Sequence, residues 1–139
     1  MAHVIVSSIG YLKQEIRAGQ HAFIADEPLE AGGTDEGPGP YELLLAALGA
    51  CTSMTLQIYA RRKQWALEKV EVSLSHDRVY AHDCAECMTK EGKITRIERH
   101  ISLTGELSDE QKNRLLEIAQ QCPIHRTLTS EILIKDYLD

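Results

Sequence analysis

The sequence predicts an α+β fold, and three features support this prediction. Short alternating segments fill the first 25 residues, a long apolar helix follows them, and a second pair of alternating segments precedes another helical stretch. The resulting order βββ, α, ββ, αα, β lacks the regular βαβ alternation of a parallel doubly wound sheet. At 139 residues the chain has the length of one domain, so we expect a single domain over residues 1–139.

The charge of the chain argues against nucleic acid and membrane partners. Its formal net charge is -6, whereas phosphate binding is carried by clustered Lys and Arg side chains. The N-terminal residues also lack the basic flank, apolar stretch and cleavage site of a secretory signal. We therefore expect a cytoplasmic protein that binds neither nucleic acid nor membrane.

The first 25 residues are predicted to form a three-stranded meander. Its strands are separated by Gly10 and Gly19, where tight turns need a permissive backbone. The next segment, Asp26 to Pro40, is rich in glycine and proline. Irregular loops of this length in compact domains are often functional.

A helix is predicted from about Pro40 to Lys63, with a proline in its first turn and three basic residues at its end. Its segment Leu43 to Ala60 carries no charge and approaches the length of a membrane span, but hydroxyl and amide side chains in its second half favour a buried helix of a soluble protein. Both sides of this segment are largely apolar, and one small sheet covers only one side. We therefore expect a second copy of the chain to cover the other side in a homodimer.

The C-terminal half is predicted to contain a hairpin, a helix and a last strand. The segments "KVEVSLSHDRVY" and "ITRIERHISLTG" alternate with strand period around the loop "AHDCAECMTKEGK". Ser108 and Gln111 form a capping box that starts a helix, and Pro123 interrupts that helix. The tail "SEILIKDYL" alternates again and is predicted to be a strand.

Cys51 and Cys122 are candidate reactive thiols in different surroundings. Cys51 lies far inside its helix among apolar neighbours, which by itself favours a buried, inert cysteine; a nucleophile there would need a cation from another element. Cys122 directly precedes Pro123, where free backbone N–H groups of a new helical turn favour a thiolate, with His125 and Arg126 close by. Simple packing of Cys122 at a helix break is the alternative.

Cys84 and Cys87 form a C-x-x-C pair in the predicted hairpin loop. This spacing is one half of a zinc knuckle, which His82, His76 or His100 could complete. A reversible disulfide and two exposed cysteines without function are the alternatives. Since no second pair is present, we predict no metal site and no cofactor.

The segments "GPGPYELLLAALGAC" and "CPIHRTL", about seventy residues apart, resemble the OsmC/Ohr family of thiol-dependent hydroperoxide reductases over nearly the whole chain. The resemblance implies an intertwined α+β homodimer with a long central helix and active sites at the subunit interface. It implies that Cys51 attacks an alkyl or fatty-acid hydroperoxide, that Cys122 resolves the product to a disulfide, and that an external thiol reduces this bond.

The resemblance also implies which residue supplies the cation that a reactive Cys51 needs. In this family it is an arginine of the N-terminal sheet, which pairs with a glutamate near the start of the helix. Arg17 is the best-placed candidate, with Lys13 as an alternative. The family's glutamate directly follows the proline, which here is Tyr41; Glu42 is one residue later. Nine residues of ideal helix turn through about 900°, so Glu42 is expected to point away from Cys51. Glu42 is kept as a candidate activator that would act through an irregular first turn of the helix or from the partner subunit.

Two other functions remain compatible with the sequence. The first is a noncatalytic protein that binds a hydrophobic ligand at its dimer interface, with Cys51 as part of the lining. The second is a metal or redox sensor that uses Cys84 and Cys87. Stoichiometric bound ligand or bound zinc would distinguish them from a peroxidase.

Overall fold

The structure, a computed structural model, describes all 139 residues and divides into two units, Met1–Leu45 and Ala46–Asp139. The elements in chain order are β1 (Val4–Gly10), β2 (Lys13–Ala18), β3 (His21–Ala25), α1 (Pro40–Lys63), β4 (Lys69–Tyr80), β5 (Lys93–Thr104), α2 (Asp109–Ala119) and α3 (Pro123–Leu128). The predicted α+β class is confirmed, because two antiparallel sheets accompany one long helix.

The N-terminal unit contains the predicted meander, an antiparallel sheet in the order β1, β2, β3. Gly19 makes the turn between β2 and β3 with a φ of 62°, which favours glycine. Asp26 then organises the start of the loop, since its buried carboxylate accepts hydrogen bonds from the Thr34 hydroxyl and from the N–H groups of Glu27, Thr34 and Glu36. These bonds, with the Thr34 hydroxyl first, lower the pKa of Asp26.

The C-terminal unit is built on the predicted hairpin of β4 and β5, which pair from Lys69 with Thr104 to Tyr80 with Lys93. The predicted capping box of Ser108 and Gln111 starts α2. Side chains of α1 and α2 form the buried core, which comprises Leu56, Leu115, Ile118 and Ala119.

Gly49 lets α1 approach β4 closely. A Cβ atom at Gly49 would lie 2.7 Å from Cδ1 of Leu74, so only glycine fits without displacing that side chain. The buried residues of α1 are Leu48, Gly49, Thr52, Leu56 and Ala60. By length and composition α1 is also the one helix that could cross a membrane, with 28% of its apolar window buried within the chain.

The predicted last strand is wrong: residues 131–139, which follow α3, contain neither helix nor strand. A strand requires a neighbour to which its backbone can hydrogen-bond, and this segment pairs with neither sheet of the chain. Its large apolar side chains are exposed, namely Ile132, Leu133, Ile134, Tyr137 and Leu138.

Candidate functional site

The fold brings Cys51 and Cys122 together, although they lie on different helices. Both are free cysteines, and their side chains are within hydrogen-bonding contact of each other. Cys51 is partly exposed, whereas Cys122 is fully buried. The pair therefore combines a reachable sulfur with a protected one.

Local sequence fixes Cys122 at the start of α3. Pro123 occupies the first turn of that helix, where its missing N–H costs nothing, and Cys122 becomes the residue that caps it. The backbone N–H of His125 donates to Sγ of Cys122 over 3.4 Å. The predicted proximity of Cys122 to free N–H groups is thereby confirmed.

The pKa values of the two thiols are shifted in opposite directions. Burial raises the pKa of the Cys51 thiol, and its hydrogen bond with Cys122 raises it further. Burial also acts to raise the pKa of Cys122, but hydrogen bonds from Cys51, from the N–H groups of His125 and Ile124 and from the Thr52 hydroxyl outweigh it and lower that pKa. Of the two thiols, Cys122 therefore loses its proton more readily than Cys51.

Arg99 is a residue of this site that the sequence reasoning missed. Its Nη1 donates to the Thr52 hydroxyl over 2.8 Å, and its Nη2 lies 3.1 Å from Nδ1 of His125. Since arginine is always protonated and only donates, Nδ1 must accept, which makes His125 neutral with its proton on Nε2. Burial and the nearby Arg99 charge both lower the pKa of His125.

A sequence signal for Arg99 was available in β5. In the segment "TRIERHISL", alternate residues Ile97, Ile101 and Leu103 belong to the row that is less exposed than its neighbours, and Arg99 occupies the same row. A charged residue at an inward position of an otherwise apolar row indicates either an ion pair or a functional site.

The predicted activators Arg17 and Glu42 belong to the N-terminal unit, and each has a partner there. Arg17 lies on β2, its side chain is 63% exposed, and its Nε contacts the Glu15 carboxylate at 2.8 Å. Glu42 accepts a hydrogen bond from the N–H of Gly39 over 2.9 Å at the start of α1. Lys13, the alternative cation, pairs with Glu36 at 2.8 Å. Their role as activators of Cys51 stays a prediction.

Cys84 and Cys87 form a disulfide with each other in the loop after β4. Both sulfurs are therefore occupied, and no group of three or more His, Cys, Asp or Glu side chains in the chain is arranged to hold a metal ion. His82 stacks against Tyr80 instead of joining the cysteines. Of the three alternatives for this pair, the structure has the disulfide.

Comparisons with known proteins agree on one family. The family model for OsmC-like proteins matches residues 33–135. None of the curated proteins matches the chain.

Three solved structures share the fold. The OsmC-like protein of Mycoplasma pneumoniae is 20% identical, with a TM-score of 0.73 over 92% of this chain and 86% of its own. An organic hydroperoxide resistance protein, OsmC, of Legionella pneumophila is 20% identical, with a TM-score of 0.66 over 93% of this chain and 89% of its own. The organic hydroperoxide resistance protein OhrB of Bacillus subtilis is 19% identical, with a TM-score of 0.63 over 93% of this chain and 90% of its own.

These TM-scores establish a common fold, and the family model extends over most of the chain. The resemblance read from the two cysteine segments is thereby confirmed. This chain belongs to the OsmC-like protein family.

Proposed function

We propose that this protein reduces organic hydroperoxides, alkyl or fatty-acid, through Cys51 and Cys122. The observation that carries the proposal is the contact between two free thiols, one partly exposed and one buried with a lowered pKa. The family and the names of two structural neighbours support a role in peroxide resistance. The proposed setting is a cytoplasmic homodimer.

In the proposed reaction, Cys122 begins as a thiolate and takes the proton of the Cys51 thiol, which leaves a thiolate on Cys51. This thiolate attacks the distal peroxide oxygen, the O–O bond breaks, and the departing alkoxide takes the proton from Cys122 to become an alcohol. Cys51 is then a sulfenic acid. Cys122, again a thiolate, attacks its sulfur and releases hydroxide, which is protonated to water, as the disulfide forms. An external thiol reductant restores both cysteines by exchange.

The lowered pKa of Cys122 suits the second of these steps. Disulfide formation depends on the thiolate fraction of the attacking sulfur, and the N–H groups at the start of α3 raise that fraction. The raised pKa of Cys51 means that the first step needs help from a cation. Arg17 is the candidate that the family resemblance implies, and Arg99, which contacts Thr52 and His125, is a second candidate.

The test is to treat the reduced protein with one equivalent of cumene hydroperoxide, and a parallel sample with hydrogen peroxide, and to map disulfides by peptide mass spectrometry. We expect a rapid Cys51–Cys122 bond that the organic peroxide favours. Cys51→Ser should abolish peroxide consumption, because no nucleophile remains. Cys122→Ser should consume one equivalent and stop at the sulfenic acid, which dimedone traps. Cys84→Ser is the control and should react like wild type.

Other results would redirect the proposal. If Cys51 and Cys122 stay reduced after prolonged exposure, the protein is not a peroxidase for these substrates, and the ligand-binding function becomes the better hypothesis. If only Cys84 and Cys87 change their redox state, the sensor function gains support.

A further inference from the structure

A cavity of about 380 Å³ opens beside the thiol pair, between β5, α2 and α3. This volume lies within the range of small-molecule sites. Half of its lining is aliphatic, from Leu48, Ile97, Ile101, Leu116 and Leu128. Neither Cys51 nor Cys122 lines it, so the cavity is separate from the reacting sulfurs.

Arg99 supplies an uncompensated positive charge to this cavity. It is half-buried, and no carboxylate of the chain forms an ion pair with it. Two of its five N–H groups are used, on the neutral partners Thr52 and His125. The nearby Arg96, three residues earlier on β5, instead pairs with Asp77 at 2.6 Å.

A cation with free donors beside an apolar wall is complementary to one class of ligand. A planar carboxylate matches the guanidinium fork and would neutralise its charge. The aliphatic side chains Ile97, Ile101 and Leu116 offer an unbranched chain a surface on which to bury its methylene groups. Neutral His125 adds no second charge, which favours a monocarboxylate over a phosphate dianion.

We propose that this cavity binds an aliphatic monocarboxylate, with the carboxylate on Arg99 and the alkyl chain along the apolar lining. The site does not depend on the proposed peroxidase reaction, because it requires no peroxide and no cysteine. A ligand held there would lie next to His125, whose backbone N–H donates to Sγ of Cys122. Carboxylate binding and thiol chemistry can therefore be tested separately.

The experiment is calorimetric titration of the reduced protein with decanoate, decan-1-ol and decylamine, three probes of equal chain length and different charge. We expect decanoate to bind more tightly than either of the others. Arg99→Gln should weaken decanoate binding about tenfold or more, since a charge-assisted hydrogen bond is lost, and should leave decanol binding unchanged. Arg96→Gln, on the same strand, should bind decanoate like wild type.

Equal binding of decanoate by wild type and Arg99→Gln would overturn the proposal, as would equal binding of decanoate and decanol by wild type. Absence of decanoate binding at millimolar concentration would overturn it too. Should Arg99→Gln fail to fold, the comparison of decanoate with decylamine on wild type decides the question without a variant.

Discussion

Among single residues, Arg99 forms hydrogen bonds to both helices that carry the neighbours of Cys122. Its two hydrogen bonds reach Thr52 of α1 and His125 of α3, and each of these residues also contacts Cys122. The hydroxyl of Thr52 donates to the carbonyl of Leu48 over 2.7 Å while it accepts from Arg99. A thiolate at Cys122 therefore competes with Leu48 for a single hydroxyl proton, which couples the charge of the sulfur to the orientation of Thr52.

His125 should make the protein less stable in mild acid. Its pKa is lowered in the folded state from an ordinary value of 6.5, so between the two pKa values the unfolded chain binds more protons. The free energy of unfolding should therefore fall as the pH drops below about 6.5, and His125→Gln should reduce this fall. Urea unfolding at about pH 7.5 and about pH 5.5 measures it.

The exposed His82 provides the control variant, His82→Gln, with which the pH dependence of His125→Gln is compared. Asp26 does not interfere, because its pKa is lowered from 3.8 and its stabilising contribution is lost only in stronger acid. An unchanged pH dependence in His125→Gln would contradict the assignment.

At the scale of elements, the start of α2 offers a direct test of local stabilisation. The Ser108 hydroxyl accepts from the N–H of Gln111 over 3.1 Å, and the Gln111 side chain accepts from the N–H of Ser108 over 2.9 Å. Ser108→Ala leaves the N–H of Gln111 without its partner and should cost about 1 kcal/mol of unfolding free energy. Chemical denaturation measures this cost, and Ser75→Ala on exposed β4 should cost clearly less. Equal effects of the two variants would contradict the capping role.

Elements with a local signal could be predicted from the sequence. The bounds of α1 agree at Pro40 and Lys63, and the capping box of α2 was recognised, because proline and serine act within one helical turn. The two partners of Arg99, Thr52 and His125, could not be predicted, because they depend on how a strand packs against two helices. Alternation alone predicts a strand for the tail after α3, but strand formation also requires a sheet edge with which the segment can pair.

At the scale of the whole molecule, exposed apolar surface supports the expected homodimer. Met54 and Ile58 of α1 are 64% and 58% exposed, and the segment after α3 exposes further apolar side chains. Contiguous apolar patches on a protein surface mark sites of interaction. We therefore expect that wild type has twice the chain mass of 15.6 kDa in solution.

Ile58→Glu should shift this protein toward the monomer, because dimer formation would bury an unpaired charge. Lys112→Glu on the exposed side of α2 is the control and should stay dimeric. Light scattering after size-exclusion chromatography gives both masses. A monomeric wild type would contradict the dimer expectation itself, whereas a dimeric Ile58→Glu would place the interface elsewhere.

The inward position of Arg99 also bears on how the hairpin folds. The twelve-residue strands β4 and β5 have alternating apolar residues. They could therefore pair with a register shifted by two residues and still direct their apolar side chains to the same face. In the native pairing Arg99 stands opposite Leu74; a two-residue slip would move it by about 7 Å, away from Thr52 and His125. The misaligned hairpin would then bury a charge without hydrogen-bond partners, so the same arginine selects the correct alignment against its neighbours.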